Sequence, residues 1–177
     1  EMGAVIIAVG NIRDDKDSIR ATLLQASAQA DVIITSGGVS VGEADFIKEL
    51  LAEMGEVVFW KLAMKPGRPL AYGKIGSCHF FGLPGNPVAV MVTFLQFVSD
   101  ALRALMGQDP KPAFTLQATI TSPIRKAPGR TEFQRGILSQ DAEGRGLVRT
   151  TGEQVSGVLS SMSKANCFIV LPVEQGN

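Results

Sequence analysis

The sequence of 177 residues predicts an α/β unit with a mostly parallel sheet, followed by a smaller all-β unit. Before residue 109, apolar runs typical of strands alternate with stretches of helical periodicity, which is the pattern of βαβ architecture. Beyond it, short segments alternate polar and apolar residues, which indicates a small antiparallel barrel or sandwich. We therefore expect two domains, residues 1–109 and residues 110–177, joined by a linker that contains glycine and proline.

Composition and charge narrow the functional classes. Seventeen Lys and Arg residues balance seventeen Asp and Glu residues, so the net charge is zero and the sequence pI is near 6.9. This balance argues against a broad surface for nucleic acid or anionic membranes. Two cysteines and one histidine are too few for a disulfide framework or a zinc site. No signal peptide opens the chain, so we expect a reduced, cytoplasmic protein that binds neither nucleic acid nor a membrane.

Three buried strands are predicted in the first unit, over residues 5–9, 31–35 and 57–60. Helical spacing of apolar residues follows the first two, in residues 19–26 and 44–54. The alternation of strand-like and helix-like segments is the reason for expecting a parallel sheet.

A hairpin and a long helix complete the first unit. Two short strands flank a turn at residues 74–77, and the helix begins at Pro87. Asn86 is placed to cap this helix, and proline suits the first helical position because its missing N–H is not needed there. Beyond the linker, the predicted strands and their turn are residues 115–120, 133–138, 141–146 and 167–171.

The first candidate site is a glycine-rich turn after the second predicted strand. It contains Ser36, Gly37, Gly38 and Ser40 and leads into a helix. Open α/β sheets bind ligands at the carboxyl ends of their strands, and glycine lets backbone N–H groups approach phosphate oxygens. The turn matches neither the P-loop nor the dinucleotide-binding fingerprint. We interpret it as a phosphate site of another kind, the alternative being a tight turn between strand and helix.

Acidic residues lie beside this turn. Glu43 and Asp45 would repel an anionic ligand unless a divalent cation bridges them to it, so the pair predicts a metal site. The alternative is that both are ordinary acids of a first helical turn, which the helix dipole favours. Asp14 and Asp15 follow the first predicted strand and could face the same edge of the sheet, although capping of the next helix is the simpler role.

A group of cations follows the third predicted strand. Lys61 and Lys65 flank a short apolar run, and Arg68 comes directly after a Pro-Gly pair. The three side chains could converge on an anion, and a solvated surface run is the alternative. In the second unit, residues 126–136 contain three more cations and residues 152–157 form a polar loop. Either segment could contact a ligand across an interface or be an ordinary exposed hairpin.

A second rigid turn precedes the long helix. Pro84, Gly85, Asn86 and Pro87 restrict the backbone immediately before the helix N-terminus, where free N–H groups favour anions. Helix initiation accounts for Asn86 and Pro87 but not for the whole turn. We therefore include this turn in the predicted binding site.

Five segments, taken in order, identify a resemblance. They are residues 36–46 (SGGVSVGEADF), 60–69 (WKLAMKPGRP), 82–88 (GLPGNPV), 128–136 (PGRTEFQRG) and 160–172 (SSMSKANCFIVLP). Together they resemble the MoeA family of molybdopterin molybdenumtransferases, which is related to the E domain of gephyrin. The resemblance covers almost the whole chain. It implies a three-layer molybdopterin-binding domain like MoaB and MogA, followed by a β-barrel-like C-terminal domain.

The resemblance also implies an activity, which is insertion of molybdate into adenylylated molybdopterin with release of AMP and formation of molybdenum cofactor. Mg2+ is the implied cofactor, and a homodimer is the implied assembly, with the molybdopterin adenylyltransferase and other proteins of the pathway as further partners. Family members carry additional elements before and after this segment, so the chain is expected to be incomplete at both ends. The alternatives are a molybdopterin adenylyltransferase and a non-catalytic scaffold like gephyrin.

Positions that match the family's motifs imply the site residues. Asp45, Asp14 and Glu43 would be catalytic, and Asp45 and Glu43 would also bind the metal. Lys61 and Lys65 would contact the anionic substrate or molybdate. The other implied substrate-binding residues are Ser36, Gly37, Gly38, Ser40, Pro84, Gly85, Asn86, Pro87 and Ser156.

Overall fold

The computed structural model describes residues 2–8, 10–38, 44–109 and 112–175, with the backbone alone at Ala44, Asp45 and Trp60. The helices of these residues are α1 (Lys16–Ser27), α2 (Ala44–Met54), α3 (Pro87–Thr93), α4 (Ser99–Leu105) and α5 (Ser160–Lys164). Their strands are β1 (Val32–Ser36), β2 (Glu56–Lys61), β3 (Met64–Lys65), β4 (Pro69–Ile75), β5 (Cys78–Leu83), β6 (Thr119–Ile120), β7 (Thr131–Gln140), β8 (Gly146–Thr150) and β9 (Cys167–Leu171).

The first sheet has four strands in the order β1-β5-β4-β2. Strand β1 pairs with β5 in parallel, and Ser36 lies opposite Leu83. The pairs β5–β4 and β4–β2 are antiparallel. The α/β class ahead of a β unit is confirmed, but the described sheet is mixed rather than mostly parallel. Strands β4 and β5 are joined by a two-residue turn at Gly76, which is too short for the crossover that a parallel pair requires.

The apolar run predicted as the first strand, residues 5–9, is not a strand in its described part, residues 5–8. Residues 2–8 have no regular secondary structure, and Val5, Ile6 and Ile7 are 87%, 78% and 57% exposed. None of the strand pairings among the described residues includes this run. An apolar run becomes a buried strand only when a neighbour accepts its backbone hydrogen bonds, which none of the described strands does here.

Helices α1 and α2 pack on one face of the first sheet. Leu23 of α1 and Leu50 of α2 belong to the same buried core as Phe80 of β5. On the outer side, Lys16 and Glu49 link the two helices through an ion pair of 2.9 Å between Nζ and Oε2. Phe81, the neighbour of Phe80 in β5, points to the opposite face, because neighbouring residues of a strand point to opposite sides. There it packs in one core with Val98 of the long helix that follows β5.

The long helix is one continuous stretch from Pro87 to Leu105, in which a π-helical turn at Phe94–Val98 joins α3 to α4. By length and composition alone this stretch could cross a membrane, a test that core helices also pass. Val88 and Val98 are fully buried in the protein. Apolar spacing predicts a buried stripe along the whole helix, but Met91 and Leu95 are 41% and 47% exposed.

The second sheet has the strand order β3-β7-β8-β6, and β9 also pairs with β7. Its central strand β7 is antiparallel to both β8 and β9. Strand β3 comes from the first half of the chain and pairs with β7 in parallel, which places Lys65 opposite Glu132. Backbone hydrogen bonds therefore join the two units, a connection that the sequence did not predict.

The second unit follows the predicted β character with two differences. The strand expected over residues 115–120 is limited to Thr119–Ile120, and the short helix α5 was not predicted. The predicted turn at residues 141–146 is confirmed, because the Asp141 carboxylate accepts hydrogen bonds from the N–H groups of Glu143 and Arg145. The domain limits at residues 109 and 110 remain a prediction.

Candidate functional site

A cavity of about 770 Å3 lies where the two units meet. The first unit contributes residues 64–69 and 84–86 to its walls. The second unit contributes Arg125, Arg130, Gln134 and residues 154–156. The predicted site residues Lys65, Pro84, Gly85, Asn86 and Ser156 therefore share one cavity.

The loop after β3 is shaped by a glycine that no other residue could replace without strain. Gly67 has a φ of 95°, and a Cβ at this position would lie 2.4 Å from Cγ2 of Thr93 in α3. The Leu62 N–H donates to the Arg68 carbonyl at 3.0 Å and closes the loop. This tight closure brings Lys65 and Arg68 to the same cavity wall.

The two rigid turns identified in the sequence lie side by side. The Gly37 N–H donates to the Leu83 carbonyl at 3.1 Å, and the Ser36 hydroxyl donates to the Pro84 carbonyl at 3.4 Å. A Cβ placed on Gly85 would lie 3.6 Å from the Gly37 Cα. The parallel pairing of β1 with β5 brings both turns to the same sheet edge, as expected for the carboxyl ends of parallel strands.

A tightly packed glycine and a capped helix keep these turns rigid. Gly38 has a φ of 69°, and a Cβ there would lie 2.7 Å from Cδ1 of Ile47. At the second turn, the Asn86 side chain accepts a hydrogen bond from the Val88 N–H at 3.2 Å, and Pro87 occupies the first turn of α3. The predicted cap is confirmed. A cap of this kind satisfies an N–H that the helix itself leaves free.

The wall from the second unit is anchored by a buried arginine. Arg135 is 1% exposed, and it donates from Nε to the Ser161 hydroxyl at 3.0 Å and from Nη2 to the Val155 carbonyl at 3.2 Å. The Gln154 side chain accepts from the Arg135 N–H at 2.8 Å. Burial lowers the pKa of the Arg135 guanidinium from its ordinary value. These bonds hold the loop that presents Ser156 to the cavity.

The cavity is cationic. Lys65, Arg68, Arg125 and Arg130 line it, and no Asp or Glu is among its lining residues in the described part of the chain. Guanidinium groups bind carboxylates and phosphates through two parallel hydrogen bonds, whereas an ammonium acts as a point charge. The arrangement is therefore suited to an anionic ligand.

Lys61 does not line this cavity. It faces an adjoining hollow of about 360 Å3, together with Gly129 and the two arginines Arg68 and Arg130 that line both spaces. Lys61 and Lys65 therefore do not converge on one space, although the two spaces that they line share Arg68 and Arg130. The reason is that the two lysines belong to strands of different sheets, β2 and β3.

The predicted acidic site is only partly described. Ser40 and Glu43 lie outside the described residues, and Asp45 is described by its backbone, at the start of α2. Asp14 is exposed. Within residues 2–8, 10–38, 44–109 and 112–175, no group of three or more His, Cys, Asp or Glu side chains could hold a metal ion. The catalytic and metal-binding roles of these acids stay predictions.

Asp15, one of the two aspartates that follow the first predicted strand, caps helix α1. Its Oδ1 accepts a hydrogen bond from the Ser18 N–H at 2.8 Å, and this bond holds the pKa of the Asp15 carboxyl below its ordinary value. Capping, the simpler role considered for this pair of aspartates, therefore belongs to Asp15.

Sequence reasoning left several cavity residues out of the predicted site. The cavity is also lined by Arg125, Arg130, Gln134 and Gln154. Arg130 and Gln134 fall in the charge run at 126–136 and Gln154 in the polar loop at 152–157, whereas no sequence signal indicated Arg125. Nothing local distinguishes these segments from exposed hairpins. Their approach to Lys65 depends on the pairing of β3 with β7.

Comparison with known families matches both parts of the chain. Residues 1–104 match the family described as a probable molybdopterin binding domain, and residues 117–177 match the MoeA C-terminal region, domain IV. Among curated proteins, a molybdopterin molybdenumtransferase from Haemophilus influenzae is 45% identical over 175 residues, 97% of this chain. A gephyrin from Dictyostelium discoideum is 35% identical over 192 residues, 96% of this chain.

Solved structures give the same relationship. The MoeA protein of molybdopterin biosynthesis from Pyrococcus horikoshii has a TM-score of 0.71 at 28% identity, over 94% of this chain and 40% of that one. The chain spans 43% of the Haemophilus relative and 27% of the gephyrin. The chain belongs to the MoeA family, as a molybdopterin binding domain followed by the MoeA C-terminal region.

Proposed function

We propose that this chain belongs to an enzyme that inserts molybdate into adenylylated molybdopterin, releasing AMP and forming molybdenum cofactor. The observation that supports this most directly is the cavity lined by Lys65, Arg68, Arg125 and Arg130. Both proposed substrates are anions, since one contains a pyrophosphate and the other is an oxyanion. Relatives named molybdopterin molybdenumtransferase, 45% and 33% identical to the chain, support the same reaction.

The proposed reaction requires stabilisation of negative charge rather than a protein nucleophile. Cleavage of the pyrophosphate leaves negative charge on the departing AMP, and fixed cations next to it lower the barrier. We assign this role to the arginines of the second-unit wall. Lys65 and the neighbouring backbone N–H groups are assigned to the oxyanion, because an ammonium adapts to a small, symmetrical ion.

The glycine turns supply the close approach that a phosphate requires. We propose that Ser36, Gly37, Gly38 and Ser40 bind the phosphate of the pterin or the adenylate. Gly37 and Gly38 have no side chain to keep a ligand away from the backbone. The second turn and Ser156 would complete the wall, and the residues assigned to it are Pro84, Gly85, Asn86 and Pro87. Lys61 would contact the substrate from the adjoining hollow.

We also propose Asp45, Asp14 and Glu43 as catalytic residues, with Glu43 and Asp45 as ligands of Mg2+. The described side chains include no acidic cluster that fits a divalent cation. No step of the reaction is therefore assigned to the metal.

The proposed protein is a cytoplasmic homodimer that receives its substrate from a molybdopterin adenylyltransferase. Exposed apolar side chains on the long helix support an assembly of two copies, because Met91, Leu95 and Leu105 are 41%, 47% and 46% exposed. The substrate is a reactive adenylate, so direct delivery by the enzyme that makes it would protect it from hydrolysis.

The test is release of AMP from adenylylated molybdopterin with and without molybdate. We expect release that depends on molybdate, and release at the same rate without molybdate would contradict the proposal. Consumption of ATP with free molybdopterin would instead identify an adenylyltransferase. The relationship to gephyrin raises a scaffold role, which peptide binding without turnover would indicate.

A further inference from the structure

Glu132 is a buried carboxylate directly behind the cationic wall of the cavity. It is 3% exposed and lies opposite Lys65 in the pairing of β3 with β7. Its Oε1 lies 3.3 Å from the Lys65 Nζ, and its Oε2 accepts a hydrogen bond from the Gln134 Nε2 at 3.1 Å. Lys65 and Gln134 line the cavity, whereas Glu132 is not among the lining residues.

The two side chains of this ion pair differ in how freely they can move. Glu132 is held by Gln134, which is 4% exposed and also donates to the Arg125 carbonyl at 3.0 Å. The Lys65 side chain is 49% exposed, and its four-carbon stem is flexible. The carboxylate is therefore the fixed partner. The ammonium is the partner that can turn toward an anion in the cavity.

We propose that Glu132 is the counter-ion that positions Lys65 on the cavity wall, and that an incoming oxyanion competes with Glu132 for the ammonium. The inference rests on the proposed function, because the ligand is taken to be an oxyanion. A fixed negative charge behind Lys65 repels a bound anion, and the repulsion is weakly screened where the carboxylate is buried. Glu132 thus limits the affinity of the cavity for anions.

The pairing itself is tested by the reactivity of Lys65 toward acetic anhydride, measured on peptides by mass spectrometry. Glu132→Gln keeps the shape of the side chain and an oxygen for Gln134. We expect Lys65 to be acetylated about three to ten times faster in this variant, because the amine is no longer held against a carboxylate and its flexible stem lets it reach the reagent. Glu132→Asp keeps the charge and should leave Lys65 close to its original rate.

An internal control separates loss of the charge from local unfolding. Lys126 is 5% exposed and lies at the start of the segment that contains Glu132. Its acetylation should stay slow in Glu132→Gln. Faster labelling of both lysines would mean that the segment has opened, and this outcome would overturn the proposal.

The competition is tested by binding of molybdate alone, measured by titration calorimetry on the unmodified chain and its variants. We expect Glu132→Gln to bind molybdate about tenfold more tightly, whereas a merely structural role would weaken binding. The control is Glu153→Gln, which removes an exposed carboxylate between the cavity residues Gly152 and Gln154. It should change the affinity less than twofold.

The outcomes for Glu132 and for the proposed function are distinguishable. Equal or weaker molybdate binding by Glu132→Gln, with binding by the unmodified chain intact, would overturn the competition alone. If neither chain binds molybdate, the proposed function fails, and the labelling decides about Glu132. Equal acetylation of Lys65 would then overturn its role as counter-ion, and several-fold faster acetylation would support it.

Discussion

The two walls of the cavity are built differently. The first-unit wall is built on two tight turns, residues 64–69 and 84–86, in which Gly67 packs without room for a Cβ. The second-unit wall includes the long side chains of Arg125 and Arg130, beside a sheet whose buried Arg135 anchors the adjacent loop. Lys65 and Arg68 give the first wall cations as well, so the two walls differ in their scaffold, which is close backbone turns in the first and a side-chain anchor in the second. Substitutions in either scaffold should act on stability, and substitutions of the cavity-lining cations should act on binding.

The largest effect is expected where the first wall is tightest. Gly67→Ala combines a φ of 95° with a contact of 2.4 Å to Cγ2 of Thr93. We expect the free energy of unfolding to fall by about 3–4 kcal/mol, measured by urea denaturation. The control is Gly129→Ala, which has the same φ of 95° and no atom within 4 Å. It should cost only the backbone strain, about 1–2 kcal/mol, and equal losses in the two variants would contradict the role of packing.

The second-largest effect is expected for Arg135, which anchors the second-unit wall. Arg135→Met removes the donors to Ser161 and Val155, and we expect a loss of about 2–3 kcal/mol because buried acceptors lose their partners. Hydrogen exchange should also accelerate in residues 154–156. Arg145→Met is the matched control, since this side chain is 73% exposed and its ion pairs lie on the surface. A change above about 0.5 kcal/mol in the control would show that the buried position is not what matters.

A charge on the second wall should affect binding without affecting stability. We expect Arg130→Gln to weaken molybdate binding about tenfold, which is about 1.4 kcal/mol, and to leave urea denaturation unchanged. Arg149→Gln removes an exposed arginine of β8 that does not line the cavity, and it should bind like the unmodified chain. Parallel losses in both variants would mean that net charge, rather than position, attracts the anion.

The smallest effect is expected at the helix cap in the first wall. Asn86→Ala removes the hydrogen bond to the Val88 N–H, and we expect a loss of about 1 kcal/mol in the free energy of unfolding. Asn86→Ser retains a capping oxygen and should recover most of it. If both variants were as stable as the unmodified chain, the cap would not contribute to the stability of the turn.

The prediction of the first wall from the sequence was largely successful. The strand predicted over residues 31–35 is observed at Val32–Ser36, and the hairpin around Gly76 and the cap at Asn86 were also predicted, since each depends on a few neighbouring residues. In the second wall only Ser156 was assigned to the site, through the family resemblance, because the cations at Arg125 and Arg130 look like those of any exposed hairpin. The described part of the apolar run at residues 5–9, which is residues 5–8, was wrongly predicted as a strand, since strand formation depends on a distant partner.

Two short-range properties of the chain were decided by its sequence alone. Glycine and proline placed the rigid turns, and the periodicity of apolar residues placed the helices and most strands, because both act through the local backbone. Tertiary structure decided which charges meet. The parallel pairing of β3 with β7 brings Lys65 against Glu132, 67 positions away, and sends Lys61 to a different hollow. Electrostatic attraction depends on distance in space, and only the folded chain determines that distance.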